Sequence, residues 1–337
     1  MGWTSSFGSQ QETLPAILRD HCKRFRQRLT RFFLPRTALV DPRRTPHPQS
    51  AVQYDEYVEL ETKRDALMRI LAELDGLLVA YSGGADSAFL AWAAHQVLGN
   101  RMLAVLADSS SLPRAELAAA LDFVRVHGIP VRVIRTGELS NPDYVRNDAQ
   151  RCFHCKEELF TQMETLRLQI GYPHLAYGMN LDDRGEFRPG QQAAALHRAH
   201  APLAEAGLTK AEIRALAQTA GLSLWNKPAA ACLASRIEYG RPVTAEALAQ
   251  VEQAEAALHQ LGFLRVRVRH HGSLARIEIA REEMPRALAL STLDQITREV
   301  RNCGFAFVTL DTEGYRSGSM NLVLPADVIR AASSEIA

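Results

Sequence analysis

The sequence predicts an α/β protein with a doubly wound parallel sheet, followed by a smaller C-terminal α+β domain. Two observations carry this prediction. Between residues 77 and 177, short apolar runs alternate with segments of helical periodicity, which is the pattern of a parallel sheet with helices on both faces. After residue 225 the rhythm changes to a long helix and to strands of alternating polar and apolar residues, which is typical of a hairpin.

The elements of the larger domain follow from this pattern in order. Apolar runs predict four strands, at residues 77–81, 102–107, 131–134 and 174–177. Helical periodicity predicts helices at residues 85–98, 113–127 and 155–168. A capping box from Thr209 to Glu212 begins one more helix, which ends near Ala220. Residues 54–225 are therefore assigned to this domain.

The C-terminal domain, residues 226–337, is predicted from one helix at 244–261 and three strands. The strands lie at 263–270, 274–280 and 305–310, and the first two form a hairpin that turns near Gly272. Residues 1–53 hold nine Lys and Arg against three Asp and Glu and end in a proline-rich stretch. They are predicted to be a basic, flexible N-terminal extension.

Composition limits the classes of partner. Lys and Arg number 39 against 38 Asp and Glu, so the formal net charge is only +1 and no global field attracts nucleic acid or a membrane. No apolar run approaches the length of about 20 residues that spans a bilayer, and no secretion signal begins the chain. We expect a cytoplasmic protein with a small-molecule substrate. Five cysteines, three of them in motifs, favour reduced thiols or a metal centre over disulfides.

A glycine-containing loop between the first strand and its helix predicts a phosphate site. Its sequence is Ser-Gly-Gly-Ala-Asp-Ser, residues 82–87. Adjacent glycines allow a tight turn, while serine hydroxyls and the free amides of a helix start donate hydrogen bonds to phosphate. The predicted binding residues are Ser82, Gly83, Gly84, Asp86 and Ser87. The loop is neither a Walker A motif nor a dinucleotide fingerprint, because it lacks the residues of both.

This loop resembles the motif of the PP-loop ATP pyrophosphatases, the fold group of adenine nucleotide alpha hydrolases. The resemblance implies that MgATP binds here and that a carboxylate or amide oxygen attacks the α-phosphorus, which releases pyrophosphate and leaves an adenylate. It also implies adenosine contacts at Ala107 and Asp108, where the second strand ends. Gly178, Asn180, Asp182 and Asp183 follow a later strand in the same way. Their carboxylates either organise Mg2+ or the ribose, or form an ordinary polar turn.

Three cysteines form a second set of candidate residues. Cys152 and Cys155 have Cys-x-x-Cys spacing, and Cys232 lies in the string Lys-Pro-Ala-Ala-Ala-Cys-Leu-Ala-Ser-Arg, residues 227–236. A zinc site, a redox disulfide and an iron-sulfur cluster are all compatible with this set. Zinc lacks a well-placed fourth ligand, since His154 lies between the two cysteines. A redox pair leaves Cys232 without a role.

Together these strings resemble the LarE family, ATP-dependent sulfur transferases that help to build the nickel-pincer nucleotide cofactor of lactate racemase. The resemblance runs from about Tyr54 to the C-terminus and includes Arg-Cys-x-x-Cys-Lys at 151–156 and Gly-Tyr-Arg-x-Gly-Ser at 314–319. In one branch a single cysteine, matching Cys232, gives up its own sulfur. In the other branch three cysteines, matching Cys152, Cys155 and Cys232, hold a [4Fe-4S] cluster with a transferable sulfide. The presence of all three cysteines favours the cluster branch.

The hairpin carries a third set of candidate residues. Alternation places Leu264, Val266 and Val268 on one face of the first strand and three arginines on the other. Such a row is either a solvated face or an anion site. Resemblance to LarE implies that Arg267, Arg269, Glu278 and Arg316 hold a substrate phosphate, and that the protein forms a homo-oligomer, a trimer or a hexamer.

The resemblance also implies a reaction. The carboxylates of pyridinium-3,5-dicarboxylate mononucleotide are adenylated and then converted to thiocarboxylates, with Lys156 neutralising charge near the α-phosphate. Three alternatives remain open: sacrificial donation from Cys232, a tRNA thiolase, and a non-catalytic cluster or metal carrier. A tRNA thiolase requires a broad basic surface, which the near-neutral charge does not favour.

Overall fold

The computed structural model describes residues 48–184, 189–228, 232–316 and Met320 of the 337-residue chain, with side chains from Tyr57 onward. Residues 1–47 of the predicted basic extension lie outside the described residues. Helix α1, Pro48–Ala72, begins before residue 54, where the predicted domain starts. Within the described ranges, no helix is both long and apolar enough to cross a membrane.

The larger sheet is parallel, as predicted, with strand order β3-β2-β1-β4. Its strands are β1, Leu77–Ala80, β2, Met102–Asp108, β3, Val131–Arg135, and β4, His174–Tyr177. An isolated bridge between Ala176 and His200 adds a further segment beside β4. Because all four strands run in one direction, their carboxyl ends meet at a single edge, where ligands bind in such folds.

Helices cover both faces of this sheet, which confirms the doubly wound prediction. They are α2, Ala85–Leu98, α3, Arg114–Val126, α4, Pro142–Val145, α5, Arg151–Ile170, α6, Pro189–Leu196, α7, Pro202–Glu205, and α8, Lys210–Thr219. One core includes Leu67 of α1, Phe89 of α2 and Ile213 of α8. The other includes Phe160 of α5 and Ala193 of α6.

The starts of α8 and α5 show why one helix boundary was predictable and the other was not. Thr209 accepts a hydrogen bond from the Glu212 amide and Glu212 reciprocates, so the predicted capping box is confirmed. Helix α5 begins at Arg151, one turn before the predicted start at residue 155. Gln150 makes no side-chain cap there, so the usual sequence signal is missing. Both Cys152 and Cys155 therefore lie in the first turns of a helix.

The C-terminal part forms a second, three-stranded sheet with order β5-β6-β7. Its elements are α9, Ala245–Gln260, β5, Val266–His271, β6, Leu274–Ile279, α10, Met284–Ala287, α11, Leu290–Asn302, and β7, Phe307–Leu310. Strands β5 and β6 form the predicted hairpin, and Gly272 at its turn has φ +74°. Side chains such as Leu258, Phe263 and Val300 fill the core beneath it.

The predicted start of the hairpin is wrong by three residues. Strand β5 begins at Val266, and Leu264, which was expected on the apolar face, is 81% exposed. The cause is Glu283, whose carboxylate accepts hydrogen bonds from the backbone amides of Leu264 and Arg265, each at 3.0 Å. A side chain 18 residues away, and not strand alternation, therefore fixes this stretch.

Candidate active site

The phosphate loop follows β1 and closes on itself through its two serines. The Ser82 amide donates to Ser87 Oγ at 3.2 Å, and the two hydroxyl oxygens lie 3.0 Å apart. Gly83 has φ +74°, and a Cβ on it would lie 2.7 Å from the Cβ of Ala120, so only glycine fits. Gly84 is the N-cap of α2. The amides at this helix start therefore face the edge where the strands end.

The loop after β4 packs directly against the start of α2. A Cβ on Gly178 would lie 2.8 Å from the Ser87 nitrogen and 2.9 Å from its Cα, so the two backbones need a glycine there to approach. Asn180 Nδ2 donates to Asp86 Oδ2 at 3.1 Å. The two segments that were singled out by sequence are thus joined by backbone packing and by a side-chain hydrogen bond.

The three carboxylates in this region have different surroundings. Asp183 completes a capping box with Asn180, and Asp182 accepts a hydrogen bond from the Lys210 amide at 2.8 Å. Asp183 thus stabilises the turn at 180–183, and Asp182 connects this turn to the start of α8. Asp86 Oδ1, in contrast, is buried and has no hydrogen-bond partner among the described residues. Burial raises the pKa of Asp86, which Lys210 and the Asn180 hydrogen bond oppose.

On the other side of β1, the end of β2 presents Ala107 and Asp108, both partly exposed. Arg114 at the start of α3 contacts the Asp108 carboxylate and donates to the Ser109 carbonyl at 2.7 Å. The predicted nucleotide residues therefore lie along the carboxyl edge of neighbouring strands.

The three motif cysteines differ in exposure: Cys155 and Cys232 are partly buried, and Cys152 is exposed. Cys155 and Cys232 pack against an apolar cluster that joins Tyr144 to residues of α9 such as Leu248 and Val251. Burial is the main cause that raises the pKa of the Cys155 thiol, Lys156 opposes it, and Glu138, Cys232 and Cys152 add to it. The Cys155 thiol also contacts the Glu138 carboxylate, with 3.6 Å from Sγ to Oε1. All three sulfurs are thus electrostatic neighbours.

These thiols do not form a single-ion site. Within the described ranges, no three His, Cys, Asp or Glu side chains converge closely enough to hold a metal ion. Ligands of one ion meet closely because metal-sulfur bonds are only about 2.3 Å long. A four-iron cluster binds each thiolate through a different iron and spaces them more widely. The three thiols are thus spaced more widely than the ligands of one ion.

The Cys232 segment is attached to the phosphate edge at two points. Before it, Lys227 Nζ donates to the Gly83 carbonyl at 3.0 Å and pairs with Glu116 at 2.5 Å. After it, the Leu233 amide donates to the Ser111 carbonyl, just beyond β2, at 2.8 Å. Cys232 therefore lies on a segment whose two ends both contact the strand edge.

A buried ion pair holds the same segment to the C-terminal domain. Arg236 binds Glu255 through two hydrogen bonds of 3.0 and 3.1 Å, and its Nη1 donates to the Cys232 carbonyl at 2.9 Å. Glu255 Oε1 also accepts the Val268 amide of β5. Helix α9, strand β5 and the cysteine segment are therefore joined through one carboxylate.

One of the predicted substrate-phosphate residues, Arg269, contacts this segment directly. Arg269 Nη1 donates to the Ser235 carbonyl at 3.3 Å, and Arg269 pairs with the fully buried Glu278 at 2.7 Å. Arg267 lies over the Tyr315 ring, and burial followed by the charges of neighbouring arginines lowers its pKa. Arg316 Nε is buried without a hydrogen-bond partner in the described part of the chain. Along the arginine row, Arg265 is exposed, Arg267 is partly buried and Arg269 is buried.

Sequence reasoning missed four residues of this arrangement. They are Asn147, Arg151, Lys227 and Glu255. Lys227 and Arg151 belong to the two cysteine motifs, so their positions were marked by the sequence, but the motifs gave no role for either side chain. Asn147 and Glu255 lie outside every motif and are visible only through contacts that are distant in sequence.

Comparison with known proteins identifies the family. No protein-family model matches the chain. It is 42% identical over 265 residues to an uncharacterized protein of Synechocystis sp., covering 79% of this chain and 99% of that protein. An uncharacterized protein of Methanocaldococcus jannaschii is 26% identical over 241 residues, 72% of this chain and 91% of that protein.

A third relative has a named activity. The pyridinium-3,5-bisthiocarboxylic acid mononucleotide synthase of Lactiplantibacillus plantarum is 35% identical over 263 residues, covering 78% of this chain and 95% of that protein. At this identity and coverage, and with the predicted fold confirmed, the chain belongs to the LarE family.

Proposed function

We propose that the protein is an ATP-dependent sulfur transferase that converts the carboxylates of pyridinium-3,5-dicarboxylate mononucleotide to thiocarboxylates. The relative's name supports the product class. The observation that carries the proposal is that Lys227 contacts the phosphate loop, while Cys232, which follows it closely in sequence, is an electrostatic neighbour of Cys155. Adenylation at the phosphate loop and sulfur donation at the thiols would then take place in adjoining parts of one site.

In the first half of the reaction, the substrate carboxylate attacks the α-phosphorus of ATP and pyrophosphate leaves. Ser82, Ser87 and the free amides of α2 would bind the β- and γ-phosphates. Lys227 beside Gly83 would neutralise charge on the departing pyrophosphate. Arg267, Arg269 and Arg316 would hold the phosphate of the substrate, since guanidinium groups match phosphate oxygens in geometry and charge.

The residues fit two implied inorganic groups. The partnerless, buried Oδ1 of Asp86 is the kind of hard oxygen that binds Mg2+, which would screen the phosphate charge. Cys152, Cys155 and Cys232 would hold a [4Fe-4S] cluster. When bound, the cluster would supply sulfide-level sulfur for the exchange with AMP at the acyl carbon. Lys156 lies next to Cys155 and opposes the rise of its pKa.

The direct test is a product assay without oxygen. Protein reconstituted with iron and sulfide is incubated with ATP and the dicarboxylate mononucleotide, and nucleotides and substrate masses are followed. We expect AMP, pyrophosphate and replacement of oxygen by sulfur in the substrate. ADP as the sole nucleotide product would overturn the proposal. Sulfur transfer accompanied by dehydroalanine at position 232 would identify sacrificial donation as the sulfur source.

Asp86→Asn is expected to stabilise the nucleotide-free protein while it weakens ATP binding. A raised native pKa adds stability that is fully present below the ordinary Asp pKa of 3.8 and is lost as pH rises through the native value. Asparagine has no charge to bury at neutral pH, so the variant avoids this loss of stability and its Tm at neutral pH should be higher than that of the wild type. Loss of the charged ligand should weaken MgATP binding by about 10- to 100-fold.

Thermal melts across about pH 4 to 8, with and without MgATP, measure both effects. The matched control is Asp122→Asn, which removes an exposed carboxylate paired with Arg125. It should leave nucleotide affinity unchanged. An Asp86→Asn protein that melts lower than the wild type at neutral pH, or binds MgATP equally well, contradicts the assignment.

Lys227→Met is expected to weaken ATP binding by about 10- to 100-fold, because a charge-assisted contact contributes about 1.5–3 kcal/mol. The variant also leaves Glu116 without its partner beside the loop, which adds repulsion against phosphate. Isothermal titration with a non-hydrolysable ATP analogue measures the loss. Lys63→Met is the control, since Lys63 pairs with Glu59 and Glu212 in the same way. If the two variants bind the ATP analogue equally well, Lys227 is not part of the ATP site.

A further inference from the structure

Asn147 has an unusual backbone conformation just before the cysteine helix. It is fully buried and has φ +58°, and Arg198 is the other described non-glycine residue with a positive φ. Asparagine tolerates this left-handed region better than most residues, yet the conformation costs on the order of 1 kcal/mol. A strained residue of this kind is retained only where surrounding contacts stabilise it, so the contacts of Asn147 indicate its role.

The side-chain nitrogen and the backbone carbonyl of Asn147 both bond to one distant turn. Its Nδ2 donates to the carbonyls of Glu238 and Arg241, at 2.9 Å each. Its own carbonyl accepts the Gly240 amide at 3.0 Å. Nearby, the Val243 amide donates to the Val145 carbonyl at 2.9 Å. These bonds fix the turn at 238–243 to the loop that begins α5.

Arg151 extends the same connection toward the thiols. Its Nη1 donates to Asn147 Oδ1 and, at 3.0 Å, to the Ala234 carbonyl, two residues after Cys232. The guanidinium lies 5.5 Å from the Tyr239 ring centroid and is almost fully buried. A buried cation needs compensating charge. The oxygens of Asn147 and Ala234 that accept its hydrogen bonds supply part of this compensation.

We propose that Asn147 and Arg151 are positioning residues that set Cys232 beside Cys152 and Cys155. Cys152 and Cys155 lie on α5, whereas Cys232 follows Cys155 by 77 residues in the chain. The Asn147–Arg151 pair is the described side-chain connection that fixes the α5 start to both Ala234 and the 238–241 turn. The proposal rests on the three-thiol site of the proposed function.

The consequence is geometric and can be measured without any catalytic step. Dibromobimane joins two thiols only when they lie close together, so its cross-linking yield between Cys155 and Cys232 reports their distance in the full-length protein. Asn147→Gly keeps the left-handed backbone accessible but removes all side-chain bonds. Arg151→Met keeps similar length and loses the donors, while Arg151→Lys keeps the charge and one donor site.

We expect the cross-linking yield to fall at least fivefold in Asn147→Gly and Arg151→Met, and to recover partly in Arg151→Lys. Titration with an ATP analogue should stay within twofold of the wild type in all three. Arg198→Gly relaxes the other left-handed residue, which is exposed, and should change neither readout. Circular dichroism identifies any variant that does not fold, and Arg151→Met then replaces Asn147→Gly as the deciding variant.

Each outcome has one meaning. Wild-type yield in both folded variants, or failure of the wild-type protein itself to cross-link, overturns the positioning role. Reduced yield with intact nucleotide binding supports it. If the wild-type protein cross-links as expected but forms no thiocarboxylate, the proposed function fails while the geometry of the pair stands.

Discussion

Cys232→Ser is expected to abolish thiocarboxylate formation, by more than about 10³-fold, while adenylation continues. Serine keeps the shape of the side chain but removes the sulfur that a cluster or a sacrificial mechanism requires. The phosphate loop and Asp86 do not depend on this thiol, so exchange of labelled pyrophosphate into ATP should persist in the presence of substrate. Product mass and exchange rate, measured on the same sample, separate the two halves of the reaction.

Cys303→Ser is the matched control. Cys303 is a free, partly buried thiol at the end of α11, where its sulfur contacts the Glu299 carbonyl at 3.3 Å. The substitution removes one sulfur that packs against the core of the second sheet and should leave both halves of the reaction intact. Loss of pyrophosphate exchange in Cys232→Ser, or normal thiocarboxylate formation, would contradict the division of labour proposed for the site.

Gly178→Ala is expected to destabilise the protein by about 1–3 kcal/mol and to weaken ATP binding at least tenfold. The added Cβ would lie 2.8 Å from the Ser87 nitrogen, and backbone atoms cannot give way as a flexible side chain can. The start of α2 must therefore shift, which misaligns the amides that bind phosphate. A chain of this size should lose roughly 2–4 °C in Tm for each kcal/mol.

Thermal melts and titration with an ATP analogue test this expectation. Gly137→Ala is the control, because its Cβ would meet Glu158 Oε1 at an ordinary 3.6 Å and its φ is −115°. A Gly178→Ala protein as stable as Gly137→Ala and with unchanged affinity would show that the two loops do not need their close approach.

The fold and the phosphate loop could be predicted because their determinants are local. Each strand of the larger sheet was an apolar run, and the loop from Ser82 to Ser87 is one contiguous string. The starts of α5 and β5 could not be predicted in this way. Gln150 provides no side-chain cap for α5, and Glu283 accepts hydrogen bonds from the backbone amides just before β5. A local sequence pattern does not show that a distant side chain will bind the backbone amides that would otherwise continue a strand.

The thiol site was predictable only as a set of residues. Three cysteines in two motifs could be named, but whether the fold brings them together depends on contacts between residues far apart in sequence. Lys227 reaches Gly83 across 144 residues, and Asn147 reaches Arg241 across 94. No periodicity or spacing reports contacts of this range, which is why these partners were missed.

The apolar cluster around Tyr144, Leu248 and Val251 contains side chains from both sides of the predicted boundary at 225/226. Neither half of the chain, produced as a separate fragment, could enclose Cys155 and Cys232 in that cluster. Two such fragments would have to recombine before any sulfur chemistry began, so the enzyme is a single working unit even though its sheets are two.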